Sequence, residues 1–298
     1  MERNRTTLFA TAIVIATGVI WGFYWIPVRA LDGMGFPGAW GTFAITMATV
    51  AVLTPVALWR RGHILTCSPV ALASIALGGA AFAFYSVSFV YGRVAIVILL
   101  YFLTPVWSTL IARYLMGWTT PPLRIVAIGV GLAGLATMLA ADGELPIPRN
   151  TGEWLALWGG LLWSFSTTGI RARSTLGPLE SAFVFACGAM PVSFVLALGL
   201  APLPETDDPF AALGLALATG TVWWALSVAS LMWAAVRLEP ARVGILLMTE
   251  VLVGAASAAM LAGETLTRVE IFGGALVLCA GVLEVWPTRR PARQDADH

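Results

Sequence analysis

Apolar residues run along the chain in long blocks, separated by short polar, proline or glycine joints. The blocks lie near 7–30, 38–59, 68–91, 95–117, 121–141, 153–172, 179–201, 210–235, 241–262 and 267–286. Each is close to the roughly 20 apolar residues with which an α-helix crosses a bilayer. The pattern predicts an all-α integral membrane protein of ten transmembrane helices. The tightest joints, at Tyr91–Ala95 and Arg237–Arg242, predict the shortest hairpins. The opening MERNRTTLF has the charge of a signal-peptide start. The apolar block behind it is too long, however, and ends in WGFYWIPVRA instead of a small-residue cleavage site, so the first helix is expected to be retained.

Composition strengthens that picture and the charges orient it. Hydrophobic residues make up 59% of the 298 and charged residues 11%, far below the roughly 25% charged residues of a soluble domain. All 17 basic residues are arginine. If the N-terminus is cytoplasmic, 13 arginines fall on the inner side and four, Arg29, Arg93, Arg149 and Arg268, on the outer. The positive-inside rule therefore predicts cytoplasmic termini and a short cytoplasmic tail at 287–298. Acids around Glu144 and Glu205–Asp208 lean outward. The net charge of +1 gives no footprint for nucleic acid. Cys67, Cys187 and Cys279 are scattered and read as small buried hydrophobes.

The blocks also repeat. WGFYWIPVRA (Trp21–Ala30) aligns with WSFSTTGIRA (Trp163–Ala172), matching Trp21 with Trp163, Phe23 with Phe165 and Arg29 with Arg171. VILLYFLTPVWSTLIARYLMG (Val97–Gly117) aligns with VGILLMTEVLVGAASAAMLAGE (Val243–Glu264), and glycine-containing blocks follow both. Each copy holds five helices, 7–141 and 151–286. An odd number makes the second copy enter the membrane from the opposite side, which predicts two inverted five-helix repeats, an arrangement suited to rocking about a central site.

With its Trp-Gly start, its YFLTPVWSTLIARYLMG segment and its AGETLT ending, the chain resembles paired EamA-type domains of the drug/metabolite transporter superfamily, over essentially Thr7 to Trp286. Within it, LLYFLTPVWSTL most resembles bacterial amino-acid exporters, including those for aromatic amino acids. The resemblance implies a secondary transporter of the bacterial inner membrane that exports amino acids or related small metabolites. A broad drug or metabolite exporter remains the neighbouring alternative. The chain departs from the family pattern at Trp118, where Glu often follows Gly, and carries Val251 where its own first copy has Pro105.

Candidate chemistry centres on Glu250, about ten residues from either end of the ninth block. A carboxylate at membrane depth costs several kcal/mol unless hydrated, paired or protonated. Glu250 is thus a candidate for binding a substrate ammonium group, carrying a coupling proton, or both; the plainer reading is a hydrogen bond between helices. Trp21, Tyr24, Tyr85, Tyr101, Trp163 and Trp223 are candidate aromatic walls for an amphipathic ligand, although each could equally pack as core. Hydroxyls at helical spacing suggest a shared polar lining: Thr167 four residues after Trp163, Thr104 three after Tyr101, and Ser88 three after Tyr85. Pro27 and Pro105 lie inside blocks and predict kinks.

No nucleotide-binding loop, HExxH or GxSxG sequence appears, so the chain is expected to be no enzyme and to need no metal, cofactor or ATPase partner. The rival class, a membrane enzyme acting on lipid, would need clustered acids, histidines or metal ligands near one interface. Expected partners are a small-molecule substrate and the lipid bilayer, with monomer and homodimer both open.

Overall fold

The computed structural model describes residues 2–285 except 116, 118–121, 142, 144, 146, 174–175 and 239. The expected tail at 287–298, Trp118 and Trp286 therefore lie outside the described residues, and of Pro105, Arg171 and Arg173 only the backbone is described. Every described element is helical. In chain order they are α1 (Glu2–Gly22), α2 (Trp25–Gly33), α3 (Ala39–Trp59), α4 (Arg61–Thr66), α5 (Pro69–Tyr91), α6 (Val94–Tyr101), α7 (Thr104–Tyr114), α8 (Pro122–Leu139), α9 (Thr151–Arg173), α10 (Pro178–Leu200) and α11 (Pro209–Thr219). A π-helical segment (Gly220–Leu226) joins α11 to α12 (Ser227–Ala235), followed by α13 (Pro240–Leu247), α14 (Thr249–Leu261) and α15 (Arg268–Val285).

Eight helical stretches are long and apolar enough to cross a membrane, among them α1–α2, α6–α7, α11–α12 and α13–α14 taken through their interruptions. The chain is a helical, multi-pass membrane protein by that measure. α9 and α15, the other two segments expected to span, are helices of 23 and 18 residues but more polar. Each opens on a reciprocal cap, through the Asn150 side-chain amide at α9 and as a capping box at α15. Glu153 N–H donates to Asn150 Oδ1 (2.9 Å) while the Asn150 amide donates to Glu153 Oε1 (2.8 Å). Thr267 N–H likewise donates to Glu270 Oε2 (2.7 Å), and Glu270 N–H to Thr267 Oγ1 (3.2 Å).

Local chemistry explains where helices start and break. Proline opens α5, α10 and α11, where its missing N–H costs nothing. Pro27 cannot donate to the carbonyl of Phe23, and α1 and α2 part at Phe23–Tyr24, with Ile26 N–H turning to Phe23 O instead (3.1 Å). α6 and α7 part at Phe102–Leu103, two residues before Pro105. α13 and α14 part at Met248 without a proline; there the Thr249 hydroxyl takes the Leu246 carbonyl (2.7 Å).

The two halves share bounds and contacts. Adding 146 to α6 (94–101) gives 240–247, the bounds of α13; adding it to α8 (122–139) gives 268–285, those of α15. Gly117 and Gly263, also 146 apart, both take left-handed backbone conformations, φ 66° and 65°. α8 packs on α15 and α3 on α10, while α5 with α9 is answered by α12 with α1 and α6 with α9 by α13 with α1. Close approaches recur too. A Cβ on Gly79 would overlap the Phe185 carbonyl of α10, and one on Gly220 would stand 2.8 Å from the Ile45 carbonyl of α3. Gly160 meets the end of α6 at Tyr101, and Gly18, 142 residues earlier, meets Leu246–Glu250 at the α13–α14 break.

Candidate functional site

Glu250 is the second residue of α14, just past the break at Met248, and is 2% exposed. The break lets a carboxylate exist there. The first turn of α14 presents the positive end of its dipole to an acid, with the Val251 and Leu252 N–H groups turned to the Met248 carbonyl (3.1 and 3.3 Å). Gly18 lets α1 come close: a Cβ there would stand 3.2 Å from the Glu250 nitrogen. The Tyr85 hydroxyl, from α5, donates to Glu250 Oε1 at 2.7 Å. Among the described residues no arginine pairs with this carboxylate.

Tyr101, the last residue of α6, stacks on Tyr85 with ring centroids 4.2 Å apart and planes 25° apart. Its hydroxyl is buried without a hydrogen-bond partner among the described residues. Trp163 of α9 lies 6.3 Å from Tyr101, ring to ring. The structure thus brings Tyr85, Tyr101, Trp163 and Glu250 into one cluster at the ends of two broken helices.

Trp21, Tyr24 and Trp223 fall in an adjoining group whose hub is Phe82. Phe82 contacts Tyr85 (5.7 Å), Tyr24 (5.5 Å), Trp21 (5.1 Å) and Trp224 (4.9 Å). A polar thread runs through it. The Thr42 and Ser86 hydroxyls lie 2.7 Å apart, Ser86 and the Tyr24 hydroxyl 2.7 Å apart, and Trp224 Nε1 donates to Tyr24 at 2.9 Å. Trp21 Nε1 donates to Ser227 Oγ (2.8 Å), and Trp223 Nε1 to the Ile20 carbonyl (2.7 Å). Tyr24, Phe82 and Tyr85 are fully buried, so in this conformation the rings fill the centre against one another.

The hydroxyl stripes behave differently from a cavity lining. Ser88 donates to the Tyr85 carbonyl (2.5 Å) and Thr167 to that of Trp163 (3.0 Å), each on its own helix. Away from water a hydroxyl finds a carbonyl three or four residues back. At Thr104 it is the backbone carbonyl that is engaged, accepting from Ser164 at 3.1 Å. Phe82, Ser86 and Thr42 carried no sequence signal, being a phenylalanine and two hydroxyls in uniformly apolar helices. Trp224 stood beside Trp223 and could have been chosen with it.

Ion pairs sit at the helix ends. At the end expected to be outer, Arg29 meets Glu264 (3.1 Å) and Arg93 meets Glu270 (2.5 Å). At the opposite end Arg60 meets Glu180 (3.1 Å), with His63 3.7 Å from the same oxygen. A shallow apolar depression of about 330 Å³, lined by Ile64, Leu72, Ala76, Phe183 and Cys187 among others, lies on α5 and α10. Ala76 is nine residues from Tyr85 along α5, about 13 Å, so the depression is not part of the central cluster. Among the described residues no three His, Cys, Asp or Glu side chains are grouped to hold a metal.

No family model matches the chain, and no curated protein matches it. Its fold does have solved counterparts. One, described only as the crystal structure of a protein, aligns with a TM-score of 0.56 over 92% of this chain and 95% of its own, at 18% identity.

Proposed function

We propose that this protein is a secondary transporter in which two inverted five-helix halves alternate access to a central site holding Glu250, Tyr85, Tyr101 and Trp163. The observation that carries the reading is the Tyr85–Glu250 hydrogen bond, a buried acid without a cationic partner among the described residues, set where helix breaks from both halves meet. Such a carboxyl must either hold a proton or meet an incoming cation, and a site able to exchange the two couples transport to a proton gradient. Broken helices at mid-membrane supply the free backbone ends from which transporter sites are built. The shared 146-residue offset of α6 and α8 from α13 and α15 and the mirrored contacts support the inverted repeat. All ten segments are taken to cross the membrane, α9 and α15 included, with both termini cytoplasmic.

The substrate we infer is a small amphipathic amine. Tyr101 and Trp163 offer ring faces, the Tyr101 hydroxyl an unused polar group, and Glu250 a counter-charge to an ammonium. Amino acids, aromatic ones included, have this chemistry. Export across a bacterial inner membrane, within the drug/metabolite transporter superfamily, is the form of it that the sequence resemblance favours. Purified protein in vesicles should give saturable flux of a radiolabelled amino acid, faster with an imposed pH gradient. A panel of amino acids, sugars and cationic drugs identifies the class; no saturable flux of any of them would refute transport.

A further inference from the structure

The two helix starts at the centre of the molecule carry opposite deficits. At one of them Glu250 is a buried acceptor with no cationic partner among the described residues. The matching position of the first half, 146 residues earlier, is Thr104, which has no charge. Both residues stand at the start of the second part of a broken helix, α14 and α7, and so at the positive end of a helix dipole. The Glu250 carboxylate answers that end at α14, whereas α7, TPVWSTLIARY, supplies no acid. The two breaks lie alongside one another. A Cβ on Gly254, six residues past Met248, would run into the Ile98 side chain of α6, four residues before Phe102.

At the start of α7 it is acceptors that are missing. Pro105 has no N–H, and the Val106 and Trp107 N–H groups both turn to the Leu103 carbonyl (3.0 and 3.2 Å). The unpaired donors are on side chains. Tyr101, three residues before Thr104, is 6% exposed, and its hydroxyl has no partner among the described residues. Tyr85, stacked on it, has already given its hydroxyl hydrogen to Glu250, and the Tyr101 hydroxyl lies within reach of the same charge. Trp107, three residues after Thr104, has a buried Nε1 that also lacks an acceptor among the described residues. Helical side chains lean toward the N-terminus of their helix, so Trp107 covers the turn that Thr104 opens. An indole N–H can only donate, and a buried donor without an acceptor costs stability.

We propose that the start of α7 is a carboxylate subsite, where Tyr101 and Trp107 hold the carboxylate of a zwitterion whose ammonium meets Glu250. The inference rests on the reading of this cluster as a substrate site, and it narrows the substrate from amines in general to those that carry a carboxylate. A ligand with a single charge answers one helix start and leaves the other unanswered. A zwitterion answers both and adds no net charge to the membrane interior.

The test compares ligands that differ at the carboxylate: phenylalanine, its methyl ester and phenethylamine, with leucine, its methyl ester and isopentylamine as a second series. Dissociation constants are measured by titration calorimetry on the purified protein in detergent at neutral pH. In at least one series the amino acid is expected to bind about tenfold tighter than its ester and its amine, the worth of a charge-assisted contact. Tyr101→Phe and Trp107→Phe are each expected to weaken the amino acid about tenfold and to leave the amine within about twofold, a split that a merely structural loss would not produce. Glu250→Gln is expected to weaken amine and amino acid alike. If Trp107→Phe aggregates, Tyr101→Phe decides. Three results overturn the proposal: amines that bind within about twofold of their amino acids in both series, equal losses of amino acid and amine in monodisperse variants, or no binding of either amino acid. The first of these would leave an amine transporter standing. A carboxylate preference in a protein without vesicle flux would refute transport and leave the subsite, so the two failures are distinguishable.

Discussion

Glu250 and Tyr85 satisfy one another: a buried acid needs a donor, and a buried phenol needs an acceptor. Removing either side has a different consequence. Glu250→Gln keeps the shape and an acceptor oxygen for Tyr85 but can neither ionise nor exchange a proton. Its thermal midpoint in detergent should stay within about 3 °C of the parent, while flux loses its response to a pH gradient. Retained pH-driven flux would remove Glu250 from the mechanism. Tyr85→Phe leaves the carboxyl without its donor and should lower stability by about 1–3 kcal/mol in a denaturant titration; an unchanged midpoint would mean the bond contributes nothing. Glu250 was legible in the sequence because an acid stands out in an apolar block, and Tyr85, Tyr101 and Trp163 because polar-tipped rings do. Their assembly was not legible, since ring stacking is set by which helices cross. Phe82 is the clear case. It is the hub of the aromatic cluster, yet one phenylalanine among fourteen has no mark in the sequence.

The helices themselves follow from apolar block length, and two of their breaks from proline. Pro27 announces the α1–α2 break and Pro105 the α6–α7 break four residues after the last residue of α6. The break at Met248 has no such residue; a threonine hydroxyl taking a carbonyl is a tertiary choice that the sequence leaves open. The π-helical turn at Gly220–Leu226 is equally silent, and it turns Trp224 toward Tyr24. Helix crossings rest on glycine contacts of sharply different closeness, which gives a paired test. A methyl at Gly79 has no room against the α10 backbone, so Gly79→Ala should cost about 1–3 kcal/mol and broaden the gel-filtration peak. Gly129→Ala, on α8 with nothing within 4 Å, should leave stability unchanged or slightly raised. Equal behaviour of the two would mean that α5 and α10 do not approach as closely as described.

For the whole molecule, the charges assigned to each membrane face by counting arginines meet as partners at one end or the other of the bundle. Arg29 and Arg93 find Glu264 and Glu270, Glu205 N–H reaches the Gly35 carbonyl (3.1 Å), and at the far end Arg60 finds Glu180. Two independent lines, an excess of arginine and the geometry of ion pairs, sort the same loops into the same two groups. The grouping does not by itself say which group faces the cytoplasm; the positive-inside rule predicts that the Arg60 group does. Single cysteines settle the matter in the background lacking Cys67, Cys187 and Cys279. Asp207→Cys, in the joint after α10, should react with an impermeant maleimide in intact cells, whereas Gly62→Cys, in α4, should react only after the membrane is opened. The reverse pattern would turn the molecule over. Reaction of both sites in intact cells would break the grouping itself, because Asp207 and Gly62 would then share a face.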